Sequence, residues 1–131
     1  MRKSTIDYTA FEKRIDALNK KHLVVAIDFD GTITKDNEFP KKIGVLRDGC
    51  KEAIDYIREN HKVIIWTCRS GEYLKEMIKF LQANGITYDG INSDIYAKTD
   101  RKILADIYID DKNIFCDKVD WVKIKEYFES V

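Results

Sequence analysis

A single proline and three cysteines leave this chain of 131 residues little with which to break or cross-link itself. Cys50, Cys68 and Cys116 are odd in number and widely spaced, with no CxxC pair. That excludes a disulfide framework and a cysteine-rich metal site, and it predicts reduced thiols in a cytoplasmic protein. Each reads as a small buried side chain, with Cys68, beside a strand end, alternatively a reactive thiol. No run of apolar residues approaches the length needed to span a membrane. The first 22 residues lack the apolar stretch and small-residue site of a signal peptide, so the expectation is a soluble, intracellular protein. Charge of either sign is not in excess: 23 basic residues meet 23 acidic ones, which gives no reason to expect general binding to nucleic acid or to an anionic membrane. His22 and His61, beside lysines just ahead of strands, read as surface residues. There is no internal repeat, low-complexity tract or linker, and the length suits one domain, 1–131.

What remains is a regular alternation of apolar patterns. Tyr8, Phe11, Ile15 and Leu18 recur at helical spacing, with Thr9 and Glu12 as a capping box, and predict an amphipathic helix over Thr5–Asn19 packed on the flank of the core. Leu23–Ile27 is a continuous apolar run, as expected of a strand covered on both faces. The polar stretch Thr34–Val45, with Pro40, reads as a loop. A helix follows over Asp48–Asn60, with Cys50, Ala53, Ile54 and Ile57 inward. Val63–Trp66 reads as a second strand ending at Thr67. Ser70 is placed to cap a helix running to Asn84, where Gly85 stops it, with Leu74, Met77, Ile78 and Leu81 inward. Ile86–Ile91 and Ile107–Ile109 read as third and fourth strands. Asp120 is placed to cap a last helix, with Trp121, Ile124, Tyr127 and Phe128 inward. Strands alternating with helices predict an α/β fold, a single Rossmann-like three-layer sandwich with a mainly parallel sheet.

In such a sheet ligands gather beyond the carboxyl ends of the strands. Asp28, Asp30 and Thr32 follow the first strand, in LVVAIDFDGTITK. Thr67, Arg69 and Ser70 follow the second. Lys98 and Lys102 precede the fourth, and Asp110 and Asp111 end it. Carboxylates crowded at one point repel unless a cation joins them, and hard oxygen ligands suit Mg²⁺, which also binds phosphate oxygens. One Asp can attack phosphorus and a second can move the proton of the leaving oxygen or of water. Gly31 lets the backbone approach a phosphate closely, and a Lys and a Thr hydroxyl can hold its other oxygens. The pattern therefore points to phosphoryl transfer.

These residues resemble the haloacid dehalogenase superfamily of phosphatases. DFDGT looks like its first motif, VIIWT its second, a lysine ahead of the last strand its third and IYIDD its acidic fourth; the likeness spans Leu23 to Val122. It implies that Asp28 is the nucleophile and a metal ligand. Asp30 is then the general acid/base, with its backbone carbonyl on Mg²⁺, and Thr67 binds the transferring phosphoryl group. Asp110 and Asp111 complete the metal site, one directly and one through ordered water, with Asp111 placed as the direct ligand. Lys102 fits the third motif, with Lys98 as the alternative. Arg69 has no fixed family role and is assigned here to the phosphate or to the rest of the substrate, as is Gly31. An Asp at position 30 favours phosphate chemistry over dehalogenation.

Most relatives carry a cap domain. Here the stretch between Thr32 and Asp48, and that between Thr67 and Lys102, leave no room for one, which predicts an open, capless site for a phosphorylated and bulky substrate, or one lidded by a neighbouring subunit. Lys41, Lys42 and Arg47 could rim it. Competing readings are a phospho-acceptor module and a non-catalytic metal-binding protein on the same fold; within the enzymes, a polynucleotide-end phosphatase stays open.

Overall fold

The computed structural model describes residues 22–93, 103–113 and 119–130. The helix expected over Thr5–Asn19, Lys98, Lys102 and Cys116 lie outside the described residues. Strand β1 (Val24–Asp28) runs between β4 (Lys62–Trp66) and β6 (Ile107–Ile109), and β5 (Gly90–Ile91) adds to the far side of β4. All three pairings are parallel, with Val24 opposite Lys62 and Val25 opposite Ile107, so the strands end together at one edge. The α/β architecture with a parallel sheet is thus present. Continuous apolar runs are what a strand hidden on both faces requires: Val24, Val25, Ala26 and Ile27 are all buried.

Three helices, α1 (Cys50–Asn60), α2 (Gly71–Ala83) and α3 (Trp121–Ser130), pack on one face. Val25, Ile27, Val63 and Ile65 from the sheet meet Cys50, Ala53, Ile54 and Ile57 of α1, Met77 and Leu81 of α2, and Trp121 and Phe128 of α3. Each fully buried large side chain contributes about 1.5–3 kcal/mol, so this cluster is where the stability is concentrated. Val24 and Ile64 point the other way and share a smaller cluster with Ile103.

Three boundaries differ from expectation. The stretch read as a plain loop holds an antiparallel hairpin, β2 (Thr34–Lys35) on β3 (Val45–Leu46), with a further bridge between Glu38 and Lys42. The third strand is reduced to Gly90–Ile91; ahead of it the Asp89 N–H donates to the Val63 carbonyl and the Asp89 carboxylate accepts the Val63 N–H, each at 2.8 Å. Ser70 precedes α2 without a side-chain capping bond, whereas Asp120 does cap α3, its Oδ1 accepting the N–H groups of Val122 and Lys123. Tyr127 is not inward but 52% exposed. Gly85 ends α2 as expected, at φ +68°, which lets the Ile86 N–H reach the Leu81 carbonyl.

The amino edge of the sheet is stitched by side chains. His61, Asp89 and Asp106 each stand just ahead of a strand and accept the N–H of Leu23, Val63 and Val24, respectively, at 3.0, 2.8 and 2.8 Å. His61 is therefore no idle surface residue. Its Nδ1 is the acceptor, its ring lies against Phe128, and burial, helped by nearby His22, lowers its proton affinity.

Candidate active site at the carboxyl edge of the sheet

Asp28 is the last residue of β1, so the buried strand delivers its carboxylate to the sheet edge. The neighbouring β6 ends at Ile109 and delivers Asp110 and Asp111 to the same edge. Oxygens of Asp28, Asp110 and Asp111 lie within 4.8 Å of one another. Burial pushes the Asp28 carboxyl up to about 7; the charges of Asp110, Asp111 and Asp30 add to this, and a hydrogen bond from Thr32 opposes it. Lys112 reaches Asp111 Oδ2 at 3.3 Å, but its side chain is 85% exposed, so water screens that pair. The site carries an excess of negative charge that a bound cation would balance. The donor set, three half-buried carboxylates and no sulfur or imidazole, suits a hard divalent ion such as Mg²⁺.

Thr32 links the two strand ends. Its hydroxyl, fully buried, donates to Asp28 Oδ2 at 2.9 Å and accepts the Asp111 N–H at 3.0 Å. Its carbonyl accepts the indole N–H of Trp121 at 2.9 Å, which fastens α3 to the loop after β1. Gly31 sits at φ +84°, and a Cβ there would lie 2.3 Å from Asp111 Oδ2. The observed need for glycine is thus the close approach of Asp111. Arg47, which could have rimmed the substrate or simply faced solvent, turns inward and donates to the Gly31 carbonyl at 3.2 and 2.8 Å. Lys41 and Lys42 are exposed on the hairpin.

Thr67 follows β4 directly. Asn92 holds its backbone from both sides, accepting the Thr67 N–H at 2.8 Å and donating to the Thr67 carbonyl at 2.7 Å. The Thr67 hydroxyl accepts the Arg69 N–H at 3.1 Å and keeps its own hydrogen to donate. Cys68 beside it is exposed, contrary to the expectation that it is buried; Cys50 is buried, and that burial, then the Glu52 charge, pushes its thiol up to about 12.

Asp30 is not part of the acidic group. Its carboxylate turns to Arg69, whose Nε and Nη2 donate to Oδ2 and Oδ1 at 2.7 Å each, and Asn37 Nδ2 donates to Oδ1 at 2.6 Å. Arg69, expected to face a phosphate, is 3% exposed and engaged with this carboxylate. Sequence reasoning missed Asn37, Asn92 and Trp121; only Asn92 and Asn37 carried any signal, as polar residues in loops that follow strands.

A solved structure from Bacteroides thetaiotaomicron, described as that of a conserved protein, superposes on this chain with a TM-score of 0.73 and 33% identity, over 83% of this chain and 91% of that one. The chain belongs to the same family. That likeness agrees with the parallel-sheet fold, and the description of the Bacteroides protein names no activity, so the chemistry rests on the site itself. No family model and no curated protein matches the sequence. No helix among the described residues is long and apolar enough to cross a membrane.

Proposed function

We propose that this protein is a Mg²⁺-dependent phosphatase of the haloacid dehalogenase type, hydrolysing phosphoric monoesters through an aspartyl-phosphate on Asp28. The observation that carries the reading is the convergence of Asp28, Asp110 and Asp111 within 4.8 Å, with the Asp28 carboxyl raised to about 7 by burial and by its acidic neighbours. Such clustered carboxylates are electrostatically costly unless a cation joins them, and that cation can in turn bind a phosphate. Asp28, Asp110 and Asp111 would hold Mg²⁺, which when bound supplies positive charge that favours ionised Asp28 and screens phosphate oxygens.

The chain's own residues then do the following. An Asp28 oxygen forms a bond to phosphorus while the bond from phosphorus to the leaving oxygen breaks. The electron pair stays on the leaving oxygen, which takes a proton from the Asp30 carboxyl and departs as an alcohol. Asp30, now a carboxylate, accepts a proton from water as the water oxygen bonds to phosphorus and the Asp28–phosphorus bond breaks. Asp28 is regenerated and inorganic phosphate leaves. The Thr67 hydroxyl, on a backbone held at the strand end by Asn92, donates to a phosphoryl oxygen, and the lysine ahead of the last strand, Lys102 or its alternative Lys98, neutralises another. The hairpin β2–β3 borders the site in place of a cap, which suits a bulky substrate.

The test is phosphate release from an aryl phosphate, with and without Mg²⁺, for the wild type and Asp28→Asn side by side. Metal-dependent turnover that vanishes in the variant is the expected result. Turnover surviving in Asp28→Asn would end the covalent mechanism.

A further inference from the structure

Arginine is almost never fully buried unless paired, and the Arg69 side chain has no exposed surface. Its five N–H groups have a fixed fork geometry, and four hydrogen bonds use it. Nε and Nη2 take one oxygen each of Asp30, both at 2.7 Å. Nη1 donates to the carbonyls of Pro40 on the hairpin and Tyr73 in the first turn of α2, at 3.3 Å each. The rings of Phe29 and Phe39 lie 5.6 and 5.5 Å from the guanidinium carbon. One side chain therefore ties together the loop after β1, the hairpin and α2, with Asp30 as its target.

Stability alone is a poor account of this arrangement. A buried ion pair roughly balances its Coulombic gain against desolvation, and an apolar replacement would pack as well. What a paired fork does well is fix the direction of a carboxylate. A carboxylate offers about four lone-pair positions. At Asp30 the Oδ1 positions are filled by Arg69 Nη2 and Asn37 Nδ2, and one Oδ2 position is filled by Arg69 Nε. A single position on Oδ2 is left to carry a proton.

We infer that Arg69, with Asn37, is a positioning residue that makes Asp30 exchange its proton through Oδ2 in one fixed direction, toward the leaving oxygen. The inference rests on the phosphatase reading above. It assigns Arg69 to leaving-group protonation and not to phosphate binding, and the two are separable by experiment. A group that binds phosphate matters equally for every ester. A group that positions the acid matters only where the leaving oxygen needs a proton.

The test compares kcat/KM for an alkyl phosphate, whose leaving oxygen must be protonated, with that for 2,4-dinitrophenyl phosphate, whose leaving group departs as an anion. In Arg69→Lys, which keeps the charge and loses the fork, the alkyl ester should lose about 100-fold and the dinitrophenyl ester under about 5-fold, within the range a general acid supplies. Asp30→Asn should show the same split, and the double variant should be no worse than Asp30→Asn alone. Asn37→Ala, which removes one donor to Oδ1, should give a smaller split of about 5-fold and serves if Arg69→Lys fails to fold by circular dichroism. Equal losses on both esters, or none on either, would overturn the assignment while leaving the phosphatase reading intact. A wild type inactive on both esters would overturn that reading and the assignment with it.

Discussion

At the amino edge of the sheet Asp89 accepts the Val63 N–H and a paired guanidinium from Arg58, whereas at the carboxyl edge Asp28 faces Asp110 and Asp111. Both carboxylates stand at strand ends and both are partly desolvated. Burial raises the proton affinity of Asp89, but the Arg58 and Val63 hydrogen bonds and the charges of Arg58 and Lys62 outweigh it, and the net direction is down. For Asp28 burial and three acidic neighbours act the same way, and the single Thr32 hydrogen bond does not offset them. The same residue type, in the same sheet, is thus neutralised internally at one edge and left with excess charge at the other. A structural aspartate is matched to partners the fold provides; an aspartate matched to something the fold does not provide is a candidate for chemistry.

The largest expected effect comes from removing the unbalanced charge. Asp28→Asn should bring turnover to background and, in the presence of a chelator, should stabilise the protein at alkaline pH. The sign follows from linkage: the folded-state value of about 7 lies above the ordinary 3.8, so the contribution of Asp28 to stability is complete below about 4 and is lost as pH rises through about 7. The difference in melting temperature between variant and wild type should therefore grow from pH 4 to pH 8. A difference that stays constant over that range would show that Asp28 is not held in an unbalanced environment.

Next in size, Gly31→Ala places a methyl group 2.3 Å from Asp111 Oδ2 at a φ of +84° and should lower stability by about 1–3 kcal/mol. Because the clash displaces Asp111, one of the three carboxylates proposed to hold Mg²⁺, affinity for Mg²⁺ measured by calorimetry should fall as well. Unchanged affinity would separate the glycine from the metal site. At the opposite edge, Asp89→Ala leaves the Val63 N–H and Arg58 without their partner and should cost about 1–3 kcal/mol in urea unfolding. Its kcat per folded molecule should stay at the wild-type level, since Asp89 stands at the edge of the sheet opposite Asp28, Asp110 and Asp111; a matching loss of kcat would erase the distinction between the edges. Last, Trp121→Phe leaves the buried Thr32 carbonyl without its donor and opens space beside a side chain that is 1% exposed, so it should cost about 1–3 kcal/mol in stability while leaving the acidic residues in place.

Much of this architecture is legible along the chain. Strands β1, β4 and β6 announce themselves as apolar runs, and the inward residues of α1 and α2 follow from helical periodicity, because burial is imposed on residues a fixed number of steps apart. Asp28, Asp110 and Asp111 could be placed together for the same reason: strand direction and strand ends are enough to bring them to one edge. The hairpin at residues 34–46 was not legible, because its pairing joins Thr34 to Leu46 and Lys35 to Val45 without an alternating apolar pattern to mark it. The partners of Arg69, Arg47 and Trp121 were not legible either. Arg69 and Asp30 lie 39 residues apart, and Trp121 and Thr32 lie 89 apart.

By itself, then, the sequence determined the three apolar strands β1, β4 and β6, the helices α1 to α3, the α/β class, and that an acidic cluster stands where the strands end. Only the tertiary structure decided that Asp30 leaves that cluster for Arg69, that Gly31 makes room for Asp111, and that Arg47 turns inward to a carbonyl. The physical reason is range. Hydrophobic patterning is written in the order of neighbouring residues, whereas a hydrogen bond or ion pair is decided within about 3 Å, a distance that the chain order of distant segments does not set.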